Sequence, residues 1–461
     1  MEDAPAPDST TTPDTANERR VAGWILIATF LANVLAWAGI ASERGFDRRP
    51  SEVDGYSMYA YLPSVILDGD LDFTNQYERI SLPVDVRLWT PNRIERSGLP
   101  DNIYGVGYAM LTAPAFLAAH AVTLAVGSET LPPDGYSTLY RVATTLSALA
   151  YTWLGLLFTF RIGRRYLPPV PVALGVALLW SGTNLAYYTT DNLSMSEGVS
   201  LGLFAVLSWL AIEIHERREH RYTWLLAGLV AGVLSVTHFL NGILLLVPAI
   251  LVGHRLAKAV QAGDREDARR TFAGGLVFLA AAILAAIPQL LVWKSLYGEW
   301  LVFTYGQKES GLVGFNWFDP ALLQILTSPL NGYLYWSPVA LLGFIGLTRL
   351  ARFRGDLPLT AILVTTLVTY YCLSSWWCWW FGDAFGNRGF IRLGMPIALG
   401  LAASIDALWP HHRRALLGIA TLATAWNFWL MTLHITHAIK PQGAVPFRAM
   451  IAATRKLLEN L

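Results

Sequence analysis

Charge is scarce in this chain, and cysteine is scarcer. Only 15% of the 461 residues are Asp, Glu, Lys or Arg, and the formal net charge is +1. The chain has no basic patch, which argues against a nucleic-acid partner. The two cysteines, Cys372 and Cys378, lack the spacing of a metal-ligand motif. A disulfide between the two cysteines is possible if a helix ends between their positions.

Long apolar stretches dominate the sequence instead. Hydrophobic residues make up 54% of the chain, and a bilayer core needs about 20 apolar residues per helix. The sequence therefore predicts an all-α polytopic membrane protein with about 11 transmembrane helices. The predicted spans are 21–41, 138–160, 168–188, 197–213, 222–237, 239–254, 271–293, 333–349, 357–375, 392–408 and 413–434.

Composition divides the chain into three parts. Residues 1–20 are rich in Pro, Thr, Asp and Ala and are predicted to be a disordered cytoplasmic N-terminus. The transmembrane module covers 21–435, and 436–461 is predicted to be an amphipathic tail. The first span, 21–41, exceeds the usual signal-peptide core of about 7–15 residues, so we interpret it as a signal anchor.

The basic residues predict the orientation of the spans. With a cytoplasmic N-terminus, the inner segments hold 18 of the 34 Lys and Arg, whereas the outer loops 127–137 and 189–196 hold none. Cytoplasmic loops carry an excess of Lys and Arg. The long first outer loop, 42–137, contains seven, but long loops have little influence on orientation. We therefore predict a multi-pass cell-membrane protein with its acidic and aromatic motifs on the extracytoplasmic face.

One apolar stretch does not fit this count. The segment 104–126 is long enough to span, but as a span it would place the basic cluster 161–165 outside. We interpret it as an outer-leaflet element or a re-entrant hairpin around Pro114 and His120, in a loop that also holds interfacial helices. A true span that is compensated elsewhere is the alternative.

Acids and aromatics begin the first outer loop. Asp54, with Glu52 before it, precedes Tyr59 and other aromatic and apolar residues, a pattern that suits a helix lying along the interface. Asp54 is either a cap of that helix or a functional carboxylate, and Tyr59 is a candidate for stacking on a sugar or lipid. The acids in 68–72 lack the rest of a calcium-loop pattern, so a turn is favoured there.

The second outer loop is short and contains Asp191, with Glu197 at the start of the next span. Its brevity keeps both carboxylates at the membrane surface. Either acid could instead serve the helix that follows, as a cap or as a complement to the helix dipole. We treat them as candidates for orienting an acceptor or a divalent metal.

The third motif, Trp376–Trp380 followed by Gly382, Asp383 and Arg388, is the most specific. Tryptophans at a span end are typical of an interfacial belt, so a structural role for Trp376 and Trp377 competes with stacking on a ligand. Arginine binds phosphate through a planar fork. Arg388 in a Gly- and Trp-rich turn is therefore a candidate ligand for an anionic head group, and Asp383 is a secondary candidate.

Further candidates belong to the same face. Tyr305 is a candidate for stacking, and Lys308 for phosphate binding. His238 lies at the outer tip between two short spans, where a satisfied interfacial histidine is the more common situation. No internal repeat is evident, and the span interiors are almost free of ionisable residues. Both absences argue against a secondary transporter.

Taken in order, these motifs resemble the glycosyltransferase C superfamily, specifically the bacterial relatives of protein O-mannosyltransferases and lipid A aminoarabinose transferases. The resemblance covers about 21–435 and rests on the Asp54 loop, the short loop with Asp191 and Glu197, the segment 297–338 and the turn ending at Arg388. Two departures stand out. A lone Asp54 replaces the Asp-Glu pair of the mannosyltransferases, and His238 stands where relatives often have Arg or Lys.

The resemblance implies a glycosyltransferase that moves a hexose or pentose from a polyprenyl-phosphate donor to a hydroxyl of a lipid, protein or cell-wall glycan, with inversion. Asp54 would be the general base, and Arg388, with His238 or Lys308, would bind the donor phosphate. The superfamily has metal-dependent and metal-independent branches, so a divalent cation stays open and no other cofactor is expected. The alternative is a flippase or transporter of a lipid-linked sugar.

Overall fold

The protein is built of helices. The computed structural model describes residues 15–44, 53–79, 93–306, 314–439 and 443–459, and these ranges contain no strand beyond two isolated bridges. The helices are α1 (Ala16–Arg44), α2 (Val53–Pro63), α3 (Thr74–Glu78), α4 (Gly107–Val126), α5 (Thr138–Gly163), α6 (Pro169–Gly182), α7 (Leu185–Tyr188), α8 (Ser196–His215), α9 (Thr223–Thr237), α10 (Leu246–Gln261), α11 (Arg265–Tyr297), α12 (Gln324–Thr327), α13 (Tyr333–Trp336), α14 (Ala340–Arg354), α15 (Leu357–Ser375), α16 (Gly394–Ile435) and α17 (Phe447–Glu459). Short 3₁₀ segments cover Phe239–Leu245, Thr304–Gly306 and Arg388–Leu393.

Every predicted span coincides with one or two of these helices. Eight of the described helical segments are long and apolar enough to cross a membrane, and α6 and α9 are shorter apolar helices. The all-α polytopic membrane fold is confirmed, whereas the count of 11 spans is not. The last two predicted spans form the single helix α16, which is kinked at His412 (φ −131°) just after Pro410. A proline inside a helix removes a backbone hydrogen bond and bends the helix.

Glycines let neighbouring helices pack backbone against backbone. A Cβ added to Gly155 of α5 would lie 2.3 Å from Cα of Gly202 in α8. A Cβ added to Gly346 of α14 would lie 1.9 Å from the carbonyl oxygen of Gly400 in α16. Small residues are the usual means of close helix packing in lipid, where burial of apolar side chains gives little driving force.

The two ends of the helix bundle differ in chemistry. At one end, here called the basic end, arginines of the predicted inner segments pair with acids. Arg165 pairs with Glu213, and the buried Arg255 lies 2.7 Å from both Asp267 and Glu219. The opposite end, here called the far end, is where α8 begins and where α9 and α15 end. The helix α17 packs there on the second half of α16, against Trp429.

Helix α4 is continuous through Pro114, so the predicted re-entrant hairpin is wrong. Its first turn lies at the far end, where Tyr108 donates a hydrogen bond to the Leu193 carbonyl (3.3 Å). Its last turns contact the start of α5 through His120 and Tyr140 (2.5 Å). Helix α5 comes into contact with α8 only further along its length, after the part that contacts α4. Helix α4 therefore runs away from the basic end. This direction agrees with an outer-leaflet element, although α4 is itself one of the eight helices long and apolar enough to cross a membrane.

The Arg255 cluster predicts where the bundle is sensitive to mutation. Arg255→Met should lower the free energy of unfolding by about 3 kcal/mol, because breaking a buried ion pair leaves a charge without compensation. The stranded charge here is Glu219, whose side chain is 10% exposed and whose ion-pair partner in the described residues is Arg255. Asp267, in contrast, keeps Arg217 at 2.9 Å. Arg270→Met is the matched control, since Arg270 pairs with the exposed Glu266 at the protein surface. Thermal unfolding in detergent measures both, and equal midpoints for the two variants would contradict the expectation.

The direction of α4 predicts the accessibility of two exposed positions. In a cysteine-free background, Glu129→Cys should react with an impermeant thiol reagent added to intact cells, because Glu129 is exposed in the connection after α4 and the direction of α4 carries this connection away from the basic end. Arg218→Cys, at the basic end, should react only after permeabilisation. The reverse pattern would establish α4 as a true span.

Candidate active site

A cavity of about 280 Å³ lies between the helix ends at the far end of the bundle. Residues from all three predicted outer motifs line it, although more than 100 residues separate each motif from the next along the chain. The lining residues are Asp54, Met58, Ile103, Tyr104, Met195, Glu197, His238, Phe239, Tyr305, Trp376, Trp377, Cys378, Phe381, Gly382 and Arg388.

An ion pair joins two of the lining residues. Arg388 Nη2 lies 2.5 Å from Asp54 Oδ2, and the two side chains are only 14% and 25% exposed. Asp54 is in the first turn of α2, and Arg388 follows it by 334 residues in the chain. The Tyr104 hydroxyl donates a hydrogen bond to the other carboxylate oxygen of Asp54. Hydrogen bonds to a charged group are about twice as strong as neutral ones.

Tyr104 remains a proton donor in this arrangement. Burial raises the pKa of its hydroxyl well above the usual value, and the Asp54 carboxylate raises that pKa further. Each oxygen of Asp54 is therefore held by a different donor, one neutral and one charged. The carboxylate is held at the cavity wall.

Glu197 is the second acid of the cavity. It is the second residue of α8 and is 2% exposed. Its Oε1 lies 3.5 Å from Nε of Arg388, so this arginine stands between two carboxylates. The Oε2 atom of Glu197 is buried and has no hydrogen-bond partner in the described part of the chain. The same guanidinium faces the Met195 sulfur at 3.7 Å.

The turn after α15 holds Arg388 in this position. Gly382 has φ +67°, a left-handed conformation that favours glycine. The Asn331 amide donates hydrogen bonds of 3.0 Å to the carbonyls of Trp380 and Gly382. Asn387, directly before Arg388, is fully buried and donates to another carbonyl of the turn (2.8 Å). Side chains from outside and inside the turn thus satisfy its backbone.

Aromatic rings form one wall of the cavity. The Tyr305 ring centroid lies 4.5 Å from that of Phe239 and 6.0 Å from that of Trp376. Trp377 lies 6.4 Å beyond Trp376. Such a wall offers apolar faces to a sugar ring or an isoprenoid chain.

A second arginine lies behind the cavity wall. Arg392 is fully buried, and its Nη1 donates a hydrogen bond to Oδ1 of Asn241 (2.8 Å) and contacts Nδ1 of His238 at 3.4 Å. Its Nε donates to the Gly389 carbonyl (3.0 Å). Burial lowers the pKa of His238 well below its usual value, and the charges of Arg392 and Arg388 lower it further.

Seven of the predicted site residues line the cavity: Asp54, Glu197, Arg388, His238, Tyr305, Trp376 and Trp377. Three others, Tyr59, Asp191 and Asp383, are not among its lining residues. Asp191 is half-buried in the turn before α8, and Asp383 is exposed beside Gly382. Glu52 and Lys308 lie outside the described residues.

Helical register explains the position of Tyr59. Asp54 and Met58 are four residues apart and share the face of α2 that lines the cavity. Tyr59 is one position further round the helix, where its hydroxyl donates to the Gly135 carbonyl and its ring packs 6.0 Å from Phe116. The structure therefore places this ring in the core rather than against a ligand.

The described residues contain no group of three or more His, Cys, Asp or Glu that could hold a metal ion. The acids in 68–72 bind side chains of their own turn. Asp68 accepts hydrogen bonds from Asn75 (3.0 Å) and Gln76 (2.6 Å), and Asp72 accepts one from Thr74 (2.6 Å). Cys372 and Cys378 are both free thiols.

Solved structures share this architecture. The chain matches the apo structure of ArnT from Cupriavidus metallidurans with a TM-score of 0.53 and 13% identity, over 94% of this chain and 75% of that one. It matches the apo oligosaccharyltransferase of Archaeoglobus fulgidus with a TM-score of 0.53 and 12% identity, over 94% of this chain and 56% of that one. Both are glycosyltransferases of the GT-C superfamily. The chain has the GT-C fold.

The same GT-C fold matches ArnT bound to undecaprenyl phosphate, with a TM-score of 0.52, 12% identity and coverage of 94% of this chain and 75% of that one. No family model and no curated protein sequence matches the chain. At such low identity the likeness is one of fold. The chain is also shorter than the archaeal enzyme, of which it spans 56%.

Two site residues of this GT-C fold were not predicted from the sequence. Tyr104 begins the apolar segment 104–126, and nothing in the sequence marks its hydroxyl as a hydrogen-bond partner of Asp54. Arg392 begins the predicted span 392–408. Its spacing of four residues from Arg388, in the same 3₁₀ segment, was the available signal that the two arginines lie close together.

Proposed function

We propose that the chain is a membrane glycosyltransferase that moves a monosaccharide from a polyprenyl-phosphate donor to an acceptor hydroxyl on the extracytoplasmic face, with inversion. The observation that carries this proposal is the meeting of Asp54 and Arg388 in one cavity at the far end of a GT-C fold. The neighbour bound to undecaprenyl phosphate supports the donor class.

The leaving group decides what the site must do. A lipid phosphate leaves without being protonated, so the site needs a cation near the departing oxygen rather than an acid. Arg388 offers a planar fork that matches phosphate. Preorganised charge of this kind often supplies the largest part of a rate enhancement.

The acceptor hydroxyl needs a base, and Asp54 is suited to that role. In the unliganded cavity its carboxylate is paired with Arg388. A donor phosphate would compete for the same guanidinium, and its binding would release one oxygen of Asp54 for the acceptor proton. Tyr104 would hold the other oxygen through the hydrogen bond it already makes. Glu197 would keep its contact with Arg388 and hold the fork in place.

The aromatic wall of the cavity is compatible with several sugars and acceptors. The aromatic wall formed by Tyr305, Phe239 and Trp376 fits the apolar face of a sugar or the first isoprene units. Hexosyl and pentosyl transfer to a lipid, protein or cell-wall glycan are all compatible with it. The extracytoplasmic location rests on the distribution of Lys and Arg along the chain.

Asp54→Asn should lower kcat by about 10²–10⁴-fold, the usual value of a general base, with little change in donor KM. Transfer of radiolabelled sugar from synthetic polyprenyl-phosphate mannose, glucose or arabinose by purified protein measures the effect. Asp383→Asn is the matched control, because Asp383 lies beside the cavity but does not line it. An unimpaired rate for Asp54→Asn would remove Asp54 as the base. Lipid binding without transfer from any donor would instead favour a flippase.

Arg388→Lys should raise the donor KM by about 10-fold or more, since a point charge cannot replace the two-pronged contact with phosphate. Arg79→Lys, at an exposed arginine of the same end of the bundle, is the control. The same transfer assay, run over a range of donor concentrations, separates KM from kcat. If both constants stay at their wild-type values, Arg388 does not bind the phosphate.

A further inference from the structure

His238 lines the cavity, and both of its described hydrogen bonds involve one ring nitrogen. The Leu240 backbone N–H donates to Nδ1 at 3.2 Å, and Nη1 of Arg392 approaches the same atom at 3.4 Å. An arginine and a backbone amide are donors only. Nδ1 must therefore be the acceptor, and the proton of the neutral ring must be on Nε2.

The surroundings of His238 keep the ring neutral. Arg388 and Arg392 come from the 3₁₀ segment after α15, and their charges oppose a third cation. Glu197 from α8 lines the same cavity but lies within 4 Å of Arg388 rather than of the imidazole. Phe239 stacks on the ring at 4.9 Å, and the Tyr305 ring lies at 6.1 Å. An imidazolium would also need a proton on Nδ1, which would face two donors.

Arg392 supplies charge to this ring without touching the cavity. Its described hydrogen-bond partners are the Gly389 carbonyl, Asn241 and His238, all of them uncharged. Within the described ranges no carboxylate lies within 4.0 Å of its guanidinium, and its Nη2 is buried without a hydrogen-bond partner. Glu197 also interacts electrostatically with Arg392, but the contact that this guanidinium makes with a cavity-lining residue is with Nδ1 of His238, where its positive charge polarises the Nε2–H bond.

The Nε2 edge of the ring is turned to the cavity. No described residue hydrogen bonds to Nε2, and this atom is not among the buried atoms that lack a partner. We propose that His238 is a neutral hydrogen-bond donor to a phosphate oxygen of the lipid donor, with Arg392 as the positioning residue that polarises it. This inference rests on the proposed glycosyltransferase function and adds a second phosphate contact beside Arg388.

Two substitutions of His238 distinguish the role of Nε2 from that of Nδ1. His238→Gln keeps an N–H near the position of Nε2, whereas His238→Asn keeps an acceptor near Nδ1 and removes the donor. Binding of undecaprenyl phosphate to the purified full chain, followed through its intrinsic tryptophan fluorescence, should weaken about 10- to 100-fold in His238→Asn, the factor expected for a lost hydrogen bond to a charged group. His238→Gln should stay within about 3-fold of wild type. Equal losses in both variants, or none in either, would overturn the inference.

The charge state of His238 is tested by the pH dependence of lipid binding. The ratio of wild-type to His238→Gln affinity cancels the titration of the phosphate itself. A neutral imidazole predicts a constant ratio between about pH 5.5 and pH 8, a window that brackets the ordinary histidine pKa. A ratio that rises as the pH falls would mean a cationic histidine and would overturn the proposal.

The role of Arg392 is tested by a double-mutant comparison with His238 rather than by the loss of binding in a single variant. Arg392→Gln should weaken undecaprenyl phosphate binding in the wild-type background but have little further effect in His238→Asn, since the two residues act through one hydrogen bond. Additive losses would assign Arg392 a purely structural role. If Arg392→Gln does not fold, the histidine pair decides alone. Wild-type binding of the lipid without sugar transfer would count against the glycosyltransferase proposal only, whereas absence of wild-type binding would overturn both.

Discussion

The ion pair between Asp54 and Arg388 is the constraint on which the site depends. Two charges withdrawn from water are tolerated only when they are paired and hydrogen bonded. The pair ties α2 to the turn after α15, two segments that the sequence separates by 334 residues. Tyr104 and Glu197 complete the contacts of the two side chains from two further segments. The cavity is thus closed by charge pairing in a fold whose helices are held mainly by close packing.

Hydropathy was sufficient to predict most of the helices, and the distribution of charge predicts their sidedness. Both signals are local: an apolar stretch reports its own length, and a cluster of arginines reports the end at which it lies. The break between the last two predicted spans was visible as Pro410 and the bases after it, and it appears as a kink within α16. The segment 104–126 was harder, because its length fits a span and only its contacts with α5 and with the loop before α8 reveal its direction.

The site could be predicted only where a motif carried its own chemistry. Arg388 stands in a turn of glycines and tryptophans, and that composition pointed to a ligand. Tyr104 and Arg392 have no such sequence context. Each belongs to the site through a contact with a residue distant in the chain, Asp54 for Tyr104 and His238 for Arg392. Tyr59 illustrates the opposite case. Its sequence neighbourhood suggested stacking, but a one-residue step around α2 turns its ring away from the face that holds Asp54.

The charge balance of the site suits the proposed reaction. The two arginines of the site, Arg388 and Arg392, lie close to its two acids, Asp54 and Glu197. In the proposed transfer, the bond from the sugar carbon to the phosphate oxygen would break, the acceptor oxygen would bond to that carbon, and Asp54 would take the acceptor proton. Negative charge would therefore leave Asp54 as it appears on the phosphate, and the total charge would stay constant. Arg388, which contacts Asp54 and in the proposal also contacts the phosphate, would stabilise the negative charge at both positions during the transfer.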